Sequence, residues 1–159
     1  MYMVGFTGHQ NLSRSIRAFA EARIVDLLQN IDSETAGLTS LAGGADQLFA
    51  KCILSAQLTL KVVIPCERYD ESFSTEADLN AYHALLPRAD EVEFLPFQYP
   101  SEEAYFAAGR RIVDRSNQLI ALWDGKPARG LGGTADVVDY AQSQHVVVSK
   151  IWPPGKLRP

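Results

Sequence analysis

Three apolar, strand-like runs in this chain end in glycine turns, and each turn leads into a helix-like stretch. Met1–Phe6 runs into Thr7-Gly8-His9, and Gly37–Leu41 into Ala42-Gly43-Gly44-Ala45-Asp46. Gln118–Trp123 runs into a loop that closes with Gly130-Leu131-Gly132-Gly133-Thr134-Ala135-Asp136. Strands that alternate with helices imply a mostly parallel sheet covered on both faces. Glycine at such a joint also lets backbone N–H groups approach an anion at the positive end of a helix. Three of these joints in one small domain point to a site for a phosphate-bearing small molecule.

Apolar spacing supplies the remaining elements. Ile16, Phe19, Ala20, Ile24, Leu27 and Leu28 fit a helical stripe over Ser13–Leu28, and Leu48, Phe49, Cys52, Ile53 and Ala56 do the same over Ala45–Ala56. Leu60–Ile64 reads as a strand stopped by Pro65, and Cys66–Ser74 as a polar loop. Thr75 and Asp78 resemble a capping-box pair opening a helix to Leu86. Asp90–Leu95 is the fourth strand. Ser101 is a candidate N-cap, with Glu102 and Glu103 suited to the positive end of a helix running to Arg115. Thr134–Ser143 reads as the last helix and His145–Ile151 as the last strand. The expected architecture is α/β: one domain over residues 1–152, with a doubly wound sheet of five to seven strands. Residues 153–159, which begin at Pro153-Pro154, are expected to form a loose tail. In such a sheet, ligands bind beyond the carboxyl ends of the strands, near the topological switch point.

The chain has 159 residues, 47% of them hydrophobic, which is enough for one substantial core. Its formal net charge of −4 argues against a nucleic-acid backbone or an anionic membrane as the main partner. Cys52 and Cys66 have neither metal-type nor CxxC spacing and read as thiols in a reducing compartment. The first residues read as a strand rather than a leader, and no apolar run approaches the roughly 20 residues needed to cross a bilayer. The expected location is the cytoplasm. No metal site is indicated, and the ligand expected is a nucleotide or nucleotide-derived molecule.

Candidate contacts follow from the turns. Thr7, Gly8 and His9 could hold a phosphate or ribose, and so could Gly43 and Gly44. Asp46 has two readings, a helix-stabilising first-turn carboxylate or a ribose or base ligand. Gly132, Gly133 and Thr134 are the stronger phosphate turn, because the loop before them is long for this fold class. Arg110 could clamp a phosphate, and Asp124 could hold a ribose, a loop or a water. Asp46, Asp136 and His9 are the candidates for any acid–base chemistry.

At these residues the chain resembles the SLOG superfamily, which unites DprA/SMF proteins, LONELY GUY phosphoribohydrolases and YpsA-like proteins. The resemblance rests on Val4-Gly5-Phe6-Thr7-Gly8-His9, on Leu41-Ala42-Gly43-Gly44-Ala45-Asp46, on the Tyr105–Ser116 helix ahead of Trp123-Asp124-Gly125, and on Gly132-Gly133-Thr134. The order of these motifs is closest to YpsA-like members. The resemblance implies a Rossmann-like fold, a nucleotide pocket and a tendency to self-associate into a homo-oligomer. It implies either a binding or sensing module or, alternatively, an N-glycosidase acting on a nucleoside monophosphate, with Asp46 and Asp136 as candidate catalytic carboxylates. Family hydrolases place a glutamate three residues after the threonine of the phosphate turn, where this chain has Val137.

Overall fold

The computed structural model describes the whole chain, Met1 to Pro159. Six strands form a single all-parallel sheet: β1 (Tyr2–Gly8), β2 (Thr35–Thr39), β3 (Thr59–Ile64), β4 (Glu91–Phe94), β5 (Gln118–Leu122) and β6 (Val147–Ile151). Their order across the sheet is β4-β3-β2-β1-β5-β6. Five helices connect them: α1 (Arg14–Leu28), α2 (Ala45–Ser55), α3 (Glu76–Leu85), α4 (Glu102–Asp114) and α5 (Thr134–Ser143). The chain builds outward from β1 to β4, then crosses back through α4 to start again at β5.

That path divides the core. Val4, Phe6, Val62, Ile64, Ile120 and Leu122 project toward α1, α2 and α3. Leu38, Val63 and Leu119 project to the other face, against Ile112 of α4 and Val137 and Ala141 of α5. The period-two alternation within β3 and β5 is what allows each strand to serve both layers. The apolar stripe of α1 appears as Ile16, Ala20, Ile24 and Leu28, all buried. Thr75 and Ser101 cap as the sequence suggests, and Ser13, expected as the first residue of the helix, is the cap of α1 instead. Ser13, Thr75 and Ser101 accept from the amides of Ile16, Asp78 and Ala104 at 3.2, 3.1 and 3.0 Å.

Three stretches differ from the sequence expectation. β2 begins at Thr35 and ends at Thr39, because Leu41 leaves the strand with φ of +57° in a turn tied to Thr39 and Asp46. The segment expected as a polar loop after β3 contains a 3₁₀ turn, Tyr69–Ser72, whose tyrosine is buried in the core beside Tyr82. Residues 153–159, expected as a loose tail, fold back on the domain. The Trp152 indole donates to the Lys156 carbonyl, and Arg158 reaches Asp124.

Gly44 locks the entrance of α2. Its φ is +80°, and a Cβ there would lie 2.0 Å from the Gln10 carbonyl oxygen. Gly155 has a similar φ of +73° but nothing within 4 Å. Gly44→Ala is therefore expected to cost about 2–4 kcal/mol, from strain plus overpacking. Gly155→Ala should cost about 1 kcal/mol, from strain alone. Urea unfolding of the two variants measures the difference, and equal costs would contradict the packing described.

Candidate functional site

The sheet order reverses between β1 and β5, and a cleft of about 490 Å³ opens beyond their carboxyl ends. On one side it is bounded by the segment after β3, with Tyr69, Phe73 and Ser74, and on the other by the loop from Ala128 to Thr134. The β1 turn from Thr7 to Asn11 lies between them, and α4 contributes Glu102 and Tyr105. From β3 to β5 is three strand spacings, about 14 Å. Among the residues singled out from sequence, Thr7, Gly8, His9, Gly43, Asp46, Gly132, Gly133 and Thr134 share this cleft. Gly44, Arg110, Asp124 and Asp136 are not among its lining residues.

The two glycine turns that precede α2 and α5 are closed by the same device. Asp46 Oδ2 accepts the Ala42 amide at 3.3 Å, and Asp136 Oδ2 accepts the Gly132 amide at 3.0 Å. In each case a first-turn carboxylate reaches back four residues to pin the loop. The turns differ in what remains free. At α2 the Ala45 amide donates to the His9 carbonyl at 3.3 Å, and Gly44 lies against Gln10, so the β1 turn plugs that helix end. At α5 the amides of Asp136 and Val137 return to the Gly133 carbonyl at 3.1 and 3.2 Å. The amides of Thr134 and Ala135 are left without intrahelical partners, and Thr134 lines the cleft. Gly132 sits under α4 with φ of +85°, where a Cβ would come within 2.8 Å of the Phe106 amide nitrogen.

Burial governs the Asp46 carboxyl. Loss of hydration pushes its pKa up to about 7, against the opposing hydrogen bonds from Ala42, Thr39 and Ser40. It is thus a buried carboxyl, lining the cleft, that exchanges its proton near neutrality. Asp136, by contrast, is committed to its own turn.

A second network flanks the cleft near β5. The Asp124 amide donates to His9 Nε2 at 3.3 Å, which fits a neutral ring with its proton on Nδ1. Burial lowers the His9 pKa, and the Arg158 charge lowers it further, against the pull of Asp124. The Asp124 side chain is 3% exposed; burial opposes its ionisation, but the Lys126 amide, His9 and Arg158 hold its pKa below the ordinary value. Arg158 Nε stands 3.3 Å from Asp124 Oδ2. The Trp152 ring meets His9 edge-on at 5.4 Å.

The sequence reading missed the cationic and aromatic parts of the wall. Arg129 and Arg158 are the two basic side chains lining the cleft. Both come from segments without helical or strand periodicity, so no pattern marked them. Tyr69, Phe73 and Tyr105 form the far wall, with Tyr69 and Phe73 in edge contact at 5.2 Å. Arg110 instead lies over the Phe106 ring at 4.9 Å and lines a separate groove with Asp114 and Tyr140. Cys52 and Cys66 are free and buried, and burial pushes both thiols up, Cys52 to about 11.

The architecture has counterparts among solved structures. DNA processing protein A from Streptococcus pneumoniae superposes with a TM-score of 0.72 at 19% identity, over 98% of this chain and 51% of that one. The present chain thus spans about half the length of that protein. DNA processing protein A from Helicobacter pylori, described for its single-stranded DNA binding mode, gives 0.69 at 13% identity, over 98% of this chain and 67% of that one. TM1055, a structural-genomics target, gives 0.60 at 12% identity, over 93% and 72%. What is shared is the fold. It is a Rossmann-like α/β fold, as the alternation of strands and helices suggests. No protein-family model matches the chain, and no curated protein matches it.

The pKa of Asp46 yields a signed pH dependence. Because the folded value is raised to about 7, the native state holds a proton that the unfolded chain releases at its ordinary value near 3.8. Stability from this group is full at low pH and declines as pH rises toward 7. The advantage of Asp46→Asn over the wild type should therefore grow between pH 5 and pH 7.5 and then level off. Melting temperatures of both proteins across that range test this, and a pH-independent difference would contradict it.

Proposed function

We propose that this protein is a nucleotide-binding module of SLOG type, nearest to YpsA-like members, acting in the cytoplasm. One observation carries the reading. The cleft has an anion-binding end and an aromatic end, separated by the width of the β1 and β2 turns. At the first end are Thr134, whose amide opens α5 without an intrahelical partner, and the side chains of Arg129 and Arg158. At the second end are the half-buried rings of Phe73 and Tyr105, backed by the buried Tyr69, against which a base can lie. Thr7, Ser40 and Asn11 line the middle and offer hydroxyl and amide groups to a ribose. The volume falls within the usual range for small-molecule sites. The YpsA-like placement is supported by the order of the α4 helix, the β5 strand and Trp123-Asp124-Gly125. Two unpaired, buried thiols suit a reducing cytoplasm.

The alternative, N-glycosidic cleavage of a nucleoside monophosphate, has one observation in its favour, the near-neutral pKa of Asp46 inside the cleft. Against it, α5 brings Thr134 and the apolar Val137 to the cleft and no carboxylate, and Asp46 is tied to the Ala42 amide. We therefore assign binding rather than turnover. A chromatographic assay for free base over hours is expected to show none, and release that disappears in Asp46→Asn would reverse the assignment.

Binding is tested by thermal shift, with each nucleoside monophosphate set against its nucleoside. At about 100 times its dissociation constant a true ligand stabilises the fold by about 2.7 kcal/mol. The phosphorylated member of the preferred pair should raise Tm far more than the nucleoside. Gly133→Val should abolish that shift while the protein stays folded, because a Cβ at 133 would lie 2.7 Å from the Ala128 Cβ and displace the loop. A full shift in this variant would remove the α5 turn from the site.

A further inference from the structure

We propose that residues 153–159 are a working part of the binding site, an arm whose Arg158 acts with Arg129 as a clamp on the ligand's anionic group, so that ligand binding and arm docking stabilise each other. This rests on the reading of the cleft as a phosphate-binding site and adds the element that closes it.

The bonding of the two arginines sets them apart from ordinary structural pairs. Arg129 Nη1 donates to the Pro159 carbonyl at 2.8 Å, and Arg158 Nη2 donates to the Pro127 carbonyl at 3.2 Å. The arm and the loop before α5 are therefore cross-tied by two guanidinium groups. Each of these bonds occupies one donor of the five that a guanidinium carries. Arg158 does face one carboxylate, but its Nε and Asp124 Oδ2 are buried without an aligned hydrogen bond despite their 3.3 Å separation. Arg158 makes its one aligned bond through Nη2 and Arg129 its one through Nη1, so other donors of both groups remain for an anion.

The arm is held mainly by these charges. Leu157 is 75% exposed, and a Cβ added at Gly155 would meet nothing within 4 Å. Pro153 is buried at its base, and the Trp152 indole bond to the Lys156 carbonyl at 2.9 Å, beside His9, holds the turn that follows. So little apolar burial makes the docked position inexpensive to leave and sensitive to any added anionic partner. The arm does not plug the cleft, because about 490 Å³ stays open with Arg158 and Pro159 already in its wall. A ligand gripped by both arginines must then favour the docked arm, and by linkage the docked arm must favour the ligand.

Inorganic pyrophosphate serves as the probe, titrated calorimetrically into wild type, Arg158→Gln, Arg129→Gln and Lys150→Gln. Lys150 lies by the Trp123 ring, outside the cleft, and controls for bulk charge. Both arginine variants are expected to bind about tenfold or more weakly, as for loss of a charge-assisted pair, with Lys150→Gln unchanged. Trypsin cleavage after Lys156, followed by mass spectrometry, reads the arm directly. Saturating pyrophosphate should slow it severalfold in wild type and leave it unchanged in Arg158→Gln. Wild-type pyrophosphate affinity in both arginine variants, no binding by the wild type, or cleavage that ignores pyrophosphate would each overturn the clamp. The two proposals fail separately. A full nucleotide shift retained by both Arg158→Gln and Arg129→Gln removes the clamp and leaves the nucleotide reading intact. Pyrophosphate binding that needs both arginines, with no nucleotide binding, does the reverse.

Discussion

β1 is paired on both edges, to β2 in one direction of chain travel and to β5 in the other. Everything distinctive about the molecule depends on that double pairing. Parallel strands need crossovers, and reversing the direction of travel sends the later crossovers to the opposite face of the sheet. The turn after β1 therefore feeds a helix on one face, while the loop after β5 feeds a helix on the other. The two segments leave adjacent strands in opposite directions, and the gap between them is the cleft. A phosphate site at this position needs no dedicated fold feature beyond a free helix end.

Which helix end stays free is decided by a few local contacts. Asp46 and Asp136 do the same job, each holding the turn ahead of its helix by accepting an amide four residues upstream. The α2 end is then filled by the β1 turn, through the His9 carbonyl and the close approach of Gln10 to Gly44. The α5 end has no such neighbour, because its loop is longer and lies across the switch point. Two acid-closed glycine turns of nearly the same sequence thus end in different roles, one as a structural joint and one as a candidate anion site.

This difference shows how far the sequence could be read. The alternation of strands and helices, the caps at Thr75 and Ser101, and the edge on which the turns meet follow from the sequence pattern and the topology it implies, and the structure agrees with them. The division of labour between Gly43 and Gly44 does not, because it depends on Gln10, more than thirty residues earlier. The same holds for Asp124, which the sequence offered as a ligand contact and which the structure pairs with His9 and Arg158. Arg110 carried a plausible charge on a plausible helix, but helical phase turned it toward Phe106 and away from the cleft. Arg129 and Arg158 sit in aperiodic segments, where only tertiary contact gives a residue its place.

The central claim is that an anionic group sits at the first turn of α5 and an aromatic one against the β3 side. Amide NMR of the uniformly labelled protein, titrated with the nucleoside monophosphate of highest affinity, addresses it most directly. The account expects the largest shifts at Thr134 and Ala135, with a second set around Phe73 and Ser74 and little change at Asp46. Shifts confined to the Arg110 and Tyr140 groove, or to the β4 edge, would contradict it.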